Sequence, residues 1–153
     1  MSDIRKFNVV KRSGKEYTVE LDFSAAIPKE PFFESRMAIY GQLEAAEDVR
    51  ANLENQLHVA EHNFARFKSN AFIKKKTEGS GKAPSDKMAE NHYRIHPDYE
   101  KHVQQIGQLT DDLLVVKGFI RRLYKADEAY DCAIRNVKDR DRVFAARATS
   151  SNN

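Results

Sequence analysis

The chain has one cysteine, Cys132, no tryptophan and only four prolines in 153 residues. A lone thiol excludes an intrachain disulfide framework and a zinc site built from cysteine alone. No apolar run exceeds four residues, as in Leu113-Leu114-Val115-Val116, against the roughly 20 that a membrane-spanning helix needs. The opening Met1-Ser2-Asp3-Ile4-Arg5 puts no apolar run behind a basic start, so no signal peptide is expected. These absences point to a soluble chain of a reducing compartment, with the cytoplasm as its expected location and no membrane partner. Neither sign of charge dominates: 26 Lys+Arg against 23 Asp+Glu leave +3, too little to name an anionic partner. A mean hydropathy of -0.71 with 41% hydrophobic residues suits thin, elongated helices better than a thick globule.

The charge is uneven along the chain. Residues 31–62 carry two basic and six acidic side chains, and residues 63–102 carry nine basic and five acidic. A basic block directly after an acidic one makes a local field in a nearly neutral chain.

Residues 4–23 read as a β-hairpin. Phe7 and Val9 alternate with polar neighbours, as do Tyr17, Val19, Leu21 and Phe23, and the break at Arg12-Ser13-Gly14-Lys15 supplies a reversal. A lone hairpin is marginal in water, so its apolar face must pack on something else. Pro28 closes this region and Pro31 suits the start of a helix. From there Ile39, Leu43, Ala46, Arg50, Leu53, Leu57, Ala60, Phe64, Phe67 and Ala71 step by three and four. Such a seam predicts a helix of about 40 residues, near 60 Å long, that needs a partner.

Lys74-Lys75-Lys76-Thr77-Glu78-Gly79-Ser80-Gly81-Lys82-Ala83-Pro84-Ser85-Asp86 breaks the periodicity and reads as a loop. A short helical or irregular piece over 87–95, with Ser85 as its N-cap, follows. His96-Pro97-Asp98 then opens a second long helix lined by Val103, Ile106, Leu109, Leu113, Val116, Ile120, Leu123, Asp127, Tyr130, Ile134 and Val137. Its register slips at 103, 106 and 109, and Gly107 and Gly118 suggest a close helix–helix approach. The expected fold is mainly α: two long antiparallel helices forming a helical hairpin with a basic loop, plus the N-terminal β-hairpin. The divisions are a 1–30 extension, a 31–147 helical hairpin domain with its basic loop at 73–96, and a disordered tail at 148–153. One seam cannot cover Leu114, Phe119 and Tyr124, so a homo-oligomer is expected, with Leu113, Val116, Ile120, Leu123, Tyr130, Ile134 and Val137 at its interface.

The sharpest chemical signal is cationic. Arg66, Lys68, Lys74, Lys75, Lys76, Lys82, Lys87 and Arg94 are interleaved with Phe64, Phe67, Phe72 and Tyr93. Cations neutralise phosphates while aromatic faces stack bases without reading sequence, which points to single-stranded nucleic acid. The plain alternative is a solvated loop, with Phe64 and Phe67 in the core. His58-Val59-Ala60-Glu61-His62 matches an inverted zincin pattern. It lacks a third ligand and a cleft, so a solvated or interhelical role is expected and no metal or cofactor is assigned. His92 and His96 repeat the spacing, interrupted by Pro97. Gly79-Ser80-Gly81-Lys82 lacks the first glycine and the strand of a P-loop. Asp111-Asp112 reads as a solvated face, and Cys132 as a small buried apolar group. No enzyme activity is expected.

This layout resembles the UvsY-type recombination mediators of T-even-like bacteriophages. Arg66-Phe67-Lys68 is similar to the family's basic pair, Phe72 to its aromatic position and Gly79-Ser80-Gly81 to its loop. His96-Pro97-Asp98 resembles the start of the second helix, and residues 133–139 resemble the terminal segment. The likeness covers residues 36–139 by order and spacing more than by identity, and the N-terminal hairpin departs from it. The resemblance implies a non-enzymatic, homo-oligomeric factor in the cytoplasm of a phage host. It would bind single-stranded DNA and help a RecA-like recombinase displace single-strand-binding protein. Arg66 and Lys68 would touch DNA, with Phe72, Lys74, Lys75, Lys76, Lys82, Lys87 and Arg94 beside them, and the last helix would drive assembly. The runner-up is an oligomeric helical scaffold or adaptor whose basic loop meets an acidic protein surface.

Overall fold

A computed structural model describes residues 3–11, 13–79 and 81–150, without the side chains of 148–150. The chain is mainly helical with a small two-stranded antiparallel sheet at its N-terminus. The order is β1 (Ile4–Val10), β2 (Glu16–Asp22), a 3-10 turn (Phe23–Ala26), α1 (Phe32–Thr77), α2 (Asp86–Arg94) and α3 (Pro97–Ser150). Two compact units emerge. Met1–Arg50 with Val116–Asn153 form the first and Ala51–Val115 the second, so α1 and α3 each contribute to both.

The first unit holds most of the core. In the sheet Phe7 faces Val19 and Arg5 faces Leu21, and the period-two alternation turns Phe7, Val9 and Leu21 inward. The reversal closes through Gly14 N–H to the Lys11 carbonyl at 2.8 Å, with Gly14 at φ +79°, a backbone that glycine adopts at no steric cost. Arg12 of that break lies outside the described residues. Asp22 caps the 3-10 turn by accepting from Ser24 N–H at 2.9 Å, and its own N–H donates to Gln42 of α1. The turn delivers Phe23 onto Phe119 of α3, ring centroids 4.1 Å apart and nearly parallel. Arg5 and Arg122 place their guanidinium carbons 4.8 and 5.3 Å from the same ring's centre. Beside them Ile39, Ala46 and Val49 of α1 and Val116, Leu123 and Ala126 of α3 are buried.

The polar residues of both seams find partners at their own level. Arg36 donates to Asp127 at 2.7 Å and to Asp131 at 3.0 Å. Tyr130 packs edge-on to Phe32 at 6.2 Å and accepts a hydrogen bond from the Lys29 backbone. Arg50, the polar interruption of the α1 seam, holds Glu47 at 2.8 Å while its neighbour Val49 fills the core. Every described position of the predicted α1 seam is at least half-buried.

Several expectations change. Among the described residues three helices form, two long ones and a short one where a helical or irregular piece was expected over 87–95. Residues 73–96 are mostly helical, because Lys74, Lys75 and Lys76 continue α1 to Thr77 and residues 86–94 form α2, which leaves 78–85 as the loop. Lysine is a good helix former, and three cations at a helix C-terminus suit its dipole. The Ser85 cap is present, its hydroxyl accepting from Met88 N–H at 3.3 Å. Cys132 is exposed rather than buried, because it lies on the side of α3 opposite Asp127 and Tyr130. α3 continues to Ser150, and residues 151–153 of the predicted tail lie outside the described residues. Gly107 and Gly118 mark no close approach, since a Cβ added at either would meet nothing within 4 Å.

Two outcomes follow for stability. Gly107→Ala and Gly118→Ala should each stabilise the chain by about 0.5–1 kcal/mol, read from urea midpoints, because they relieve helix-interior glycines without a clash. The Arg36 guanidinium beside Asp127 holds its carboxyl below the usual range. That stabilisation is present above about pH 4, where the unfolded carboxyl ionises, and is lost as pH falls through the lower folded value. Thermal melts from pH 7 to pH 2 should show Asp127→Asn melting lower at pH 7 and losing less on acidification than the parent.

Candidate nucleic-acid interface

The predicted basic residues all fall in the second unit, on the last turns of α1, the 78–85 loop and α2. An aromatic cluster anchors them. Phe64 meets Tyr99 edge-on at 5.3 Å and stacks on His102 at 5.5 Å. Phe67 lies 5.1 Å from His102 and 5.3 Å from His96. Tyr93 stacks on Tyr99 at 6.2 Å. His96 also caps α3, its Nδ1 accepting from Asp98 N–H at 3.1 Å. Lys101 beside Asp98 holds that carboxyl below its usual range.

The cluster repairs the register slip read in the sequence. Tyr99 and His102 are half-buried while Val103 is exposed. The seam therefore runs Tyr99, His102, Ile106, Leu109, Leu113 in unbroken steps of three and four. Spacing alone contained that signal, but Val103 outweighed a tyrosine and a histidine on hydrophobicity.

The nine candidate residues separate by their surroundings. Arg66 is exposed, whereas Lys68 sets its ammonium 4.4 Å from the Phe64 ring centre. Residues two apart on a helix do not share a face, so this basic pair cannot grip one strand side by side. Lys74 pairs loosely with Glu78 at 3.5 Å. Lys76 is a clasp: it donates to the Pro84 carbonyl and to Asp86, both at 2.8 Å, with Phe72 5.9 Å away. Phe72 and Lys75 are half-buried, and Lys82, Lys87 and Arg94 are exposed. Among the described residues, Arg66, Lys75, Lys82, Lys87 and Arg94 make no ion pair. Ser80 of the glycine loop lies outside the described residues. The unit as a whole carries nine basic and nine acidic side chains, so any pull on an anion is local and falls off within a Debye length of about 10 Å at 0.1 M salt.

The oligomerisation set does not survive as a free surface. Leu113, Val116, Ile120, Leu123 and Tyr130 are buried within the single chain, Ile134 is half-buried, and Val137 alone is exposed. From Val116 onward the cover comes from α1, the helix expected against this face, and from the 3-10 turn and hairpin, which the sequence did not identify as its partners. Phe119, assigned to the uncovered set, lies under Phe23. Leu114 and Tyr124 are exposed.

His58 and His62 are both exposed. Among the described residues no group of three or more His, Cys, Asp or Glu side chains is placed to hold a metal ion. Among them, too, no helix is long and apolar enough to cross a membrane. No protein-family model matches the chain, and neither does any curated protein or solved structure.

Lys76→Ala should release the clasp without unfolding the chain. Amide exchange over residues 78–85 is expected to quicken about tenfold, the equivalent of ~1.4 kcal/mol for a charge-assisted contact, while the melting curve hardly moves.

Proposed function

We propose that this chain is a non-enzymatic, single-stranded DNA-binding recombination mediator. In this reading it works as a homo-oligomer in the cytoplasm and helps a RecA-like recombinase onto DNA coated by single-strand-binding protein. α1 and α3 would run as an antiparallel hairpin with the cationic end as its working tip. The observation that carries the reading is the set of five cations that make no ion pair among the described residues, Arg66, Lys75, Lys82, Lys87 and Arg94, in the same unit as the half-buried rings of Phe72 and Tyr93. Phosphates would take the cations and bases the rings, a mode that tolerates any sequence. Lys76 has a structural task in the clasp and contributes to the field rather than to direct contact. Lys68 reaches a phosphate only by leaving Phe64. The resemblance to UvsY-type mediators adds the recombinase and the single-strand-binding protein as partners.

A second reading, an adaptor that docks on an acidic protein, draws on the exposed Ile73, Met88 and Ile95 that sit among the same cations. Fluorescence anisotropy with a labelled oligonucleotide, titrated with salt, separates the two. Each phosphate contact contributes about 0.7 to the salt slope on a single strand. Arg66→Ala with Lys68→Ala should lower the slope by roughly 0.7 to 1.4 and weaken binding about tenfold. The triple variant Lys82→Ala, Lys87→Ala and Arg94→Ala should lower it by about 2. Affinity no better than for a charge-matched polyanion favours the adaptor.

A further inference from the structure

In the first unit α3 outruns the helix it packs on. α1 begins at Phe32, which lies against Tyr130, and Arg36 lies against Asp127 and Asp131. Past that level α3 continues to Ser150, and every residue from 135 to 144 is exposed. Its inward face nevertheless carries on. Ile134, Val137 and Phe144 follow Tyr130 at the same three-and-four spacing, interrupted only by Asp141, and Phe144 is 60% exposed. An apolar stripe that continues a covered seam and then loses its cover is half of a helix–helix interface.

A matching half lies on α1. Phe33 and Met37 stand on one side of the helix at 67% and 54% exposure, with Tyr40 beside them at 43% and its hydroxyl engaged with Asp127. Around them are Glu34, Glu44 and Asp48, while the basic residues of this half of α1, Arg36 and Arg50, are already held by Asp127, Asp131 and Glu47. The α3 extension keeps the opposite sign: Arg135 and Arg142 are paired with Asp131 and Asp139 on the same helix, which leaves Lys138 and Arg140 against Asp141 alone. The two stripes of one chain cannot meet. Phe144 stands 14 residues beyond Tyr130, about 20 Å along the helix at 1.5 Å per residue.

We infer that the occupant is a second copy of this chain. The α3 extension of one copy lies on the Phe33–Met37–Tyr40 stripe of its partner, and a two-fold axis returns the exchange. Apolar contact supplies the attraction, and the opposed charges fix which stripe meets which. This assignment rests on the homo-oligomeric part of the proposed reading and not on DNA binding.

The test is sedimentation of the full chain at about 10–50 μM without DNA, beside oligonucleotide anisotropy of the same variants. Phe144→Glu and Met37→Glu touch only exposed positions and should leave helicity and melting unchanged while weakening self-association at least tenfold. Lys138→Glu with Arg140→Glu should weaken it similarly, and adding Glu34→Lys with Glu44→Lys should restore it to within about threefold. In a Cys132→Ser background, Met37→Cys chains mixed with Phe144→Cys chains should form an intermolecular disulfide that neither forms alone. An oligomer indifferent to all these changes overturns the assignment by itself. A parent chain that sediments as a monomer overturns both it and the oligomeric reading, and leaves any DNA affinity standing.

Discussion

An amphipathic helix has to cover its apolar stripe, and over the middle of α3 the cover comes from the chain's own first fifty residues. The Phe23–Phe119 stack is the centre of that arrangement. It fixes the end of the β-hairpin to α3, and the hairpin, too small to stand in water alone, gains a floor. The Arg36 clamp on Asp127 and Asp131, about two turns further along α3, ties α1 to the same helix. Sheet, turn and helix thus make one core from sequence segments about a hundred residues apart.

That dependence explains why intrachain and interchain burial were confused in the sequence. Periodicity says that a stripe must be buried but not by what. From Ile106 to Ile134 the α3 stripe was legible and α1 was expected against it, yet the share covered by residues 1–30 was not, because nothing local there announces where its apolar face will land. The hairpin, the long α1 seam, the Ser85 cap and the helix start at Pro97 were legible because each follows from short-range rules of alternation, spacing and capping. Three lysines in a row were misread as loop although each favours a helix. The glycines of α3 had no packing reason at all. Tyr99 and His102 were overlooked for a different cause: a ring that is polar at one edge still fills a seam when other rings meet it.

The candidate site was legible as a collection of residue types and not as geometry. Composition locates cations and rings in one stretch, whereas the structure divides them by task. Lys76 ties the loop, Lys68 lies on an aromatic face, Lys74 pairs with Glu78, Lys75 is half-buried, and Arg66, Lys82, Lys87 and Arg94 face solvent. In a unit of balanced charge, such a division matters more than the total. A lysine already satisfied by a carboxylate and a carbonyl offers little to a phosphate, while one held by nothing offers its full charge.

The hydrogen bond from the Lys29 backbone to the Tyr130 hydroxyl spans 101 positions of sequence. During synthesis the N-terminal strands leave the ribosome long before their platform exists, and Phe23 must wait unburied until Phe119 has been translated. Assembly of the first unit therefore waits on a pairing between segments made far apart in time, and the apolar face of the strands stays open to solvent in the interval.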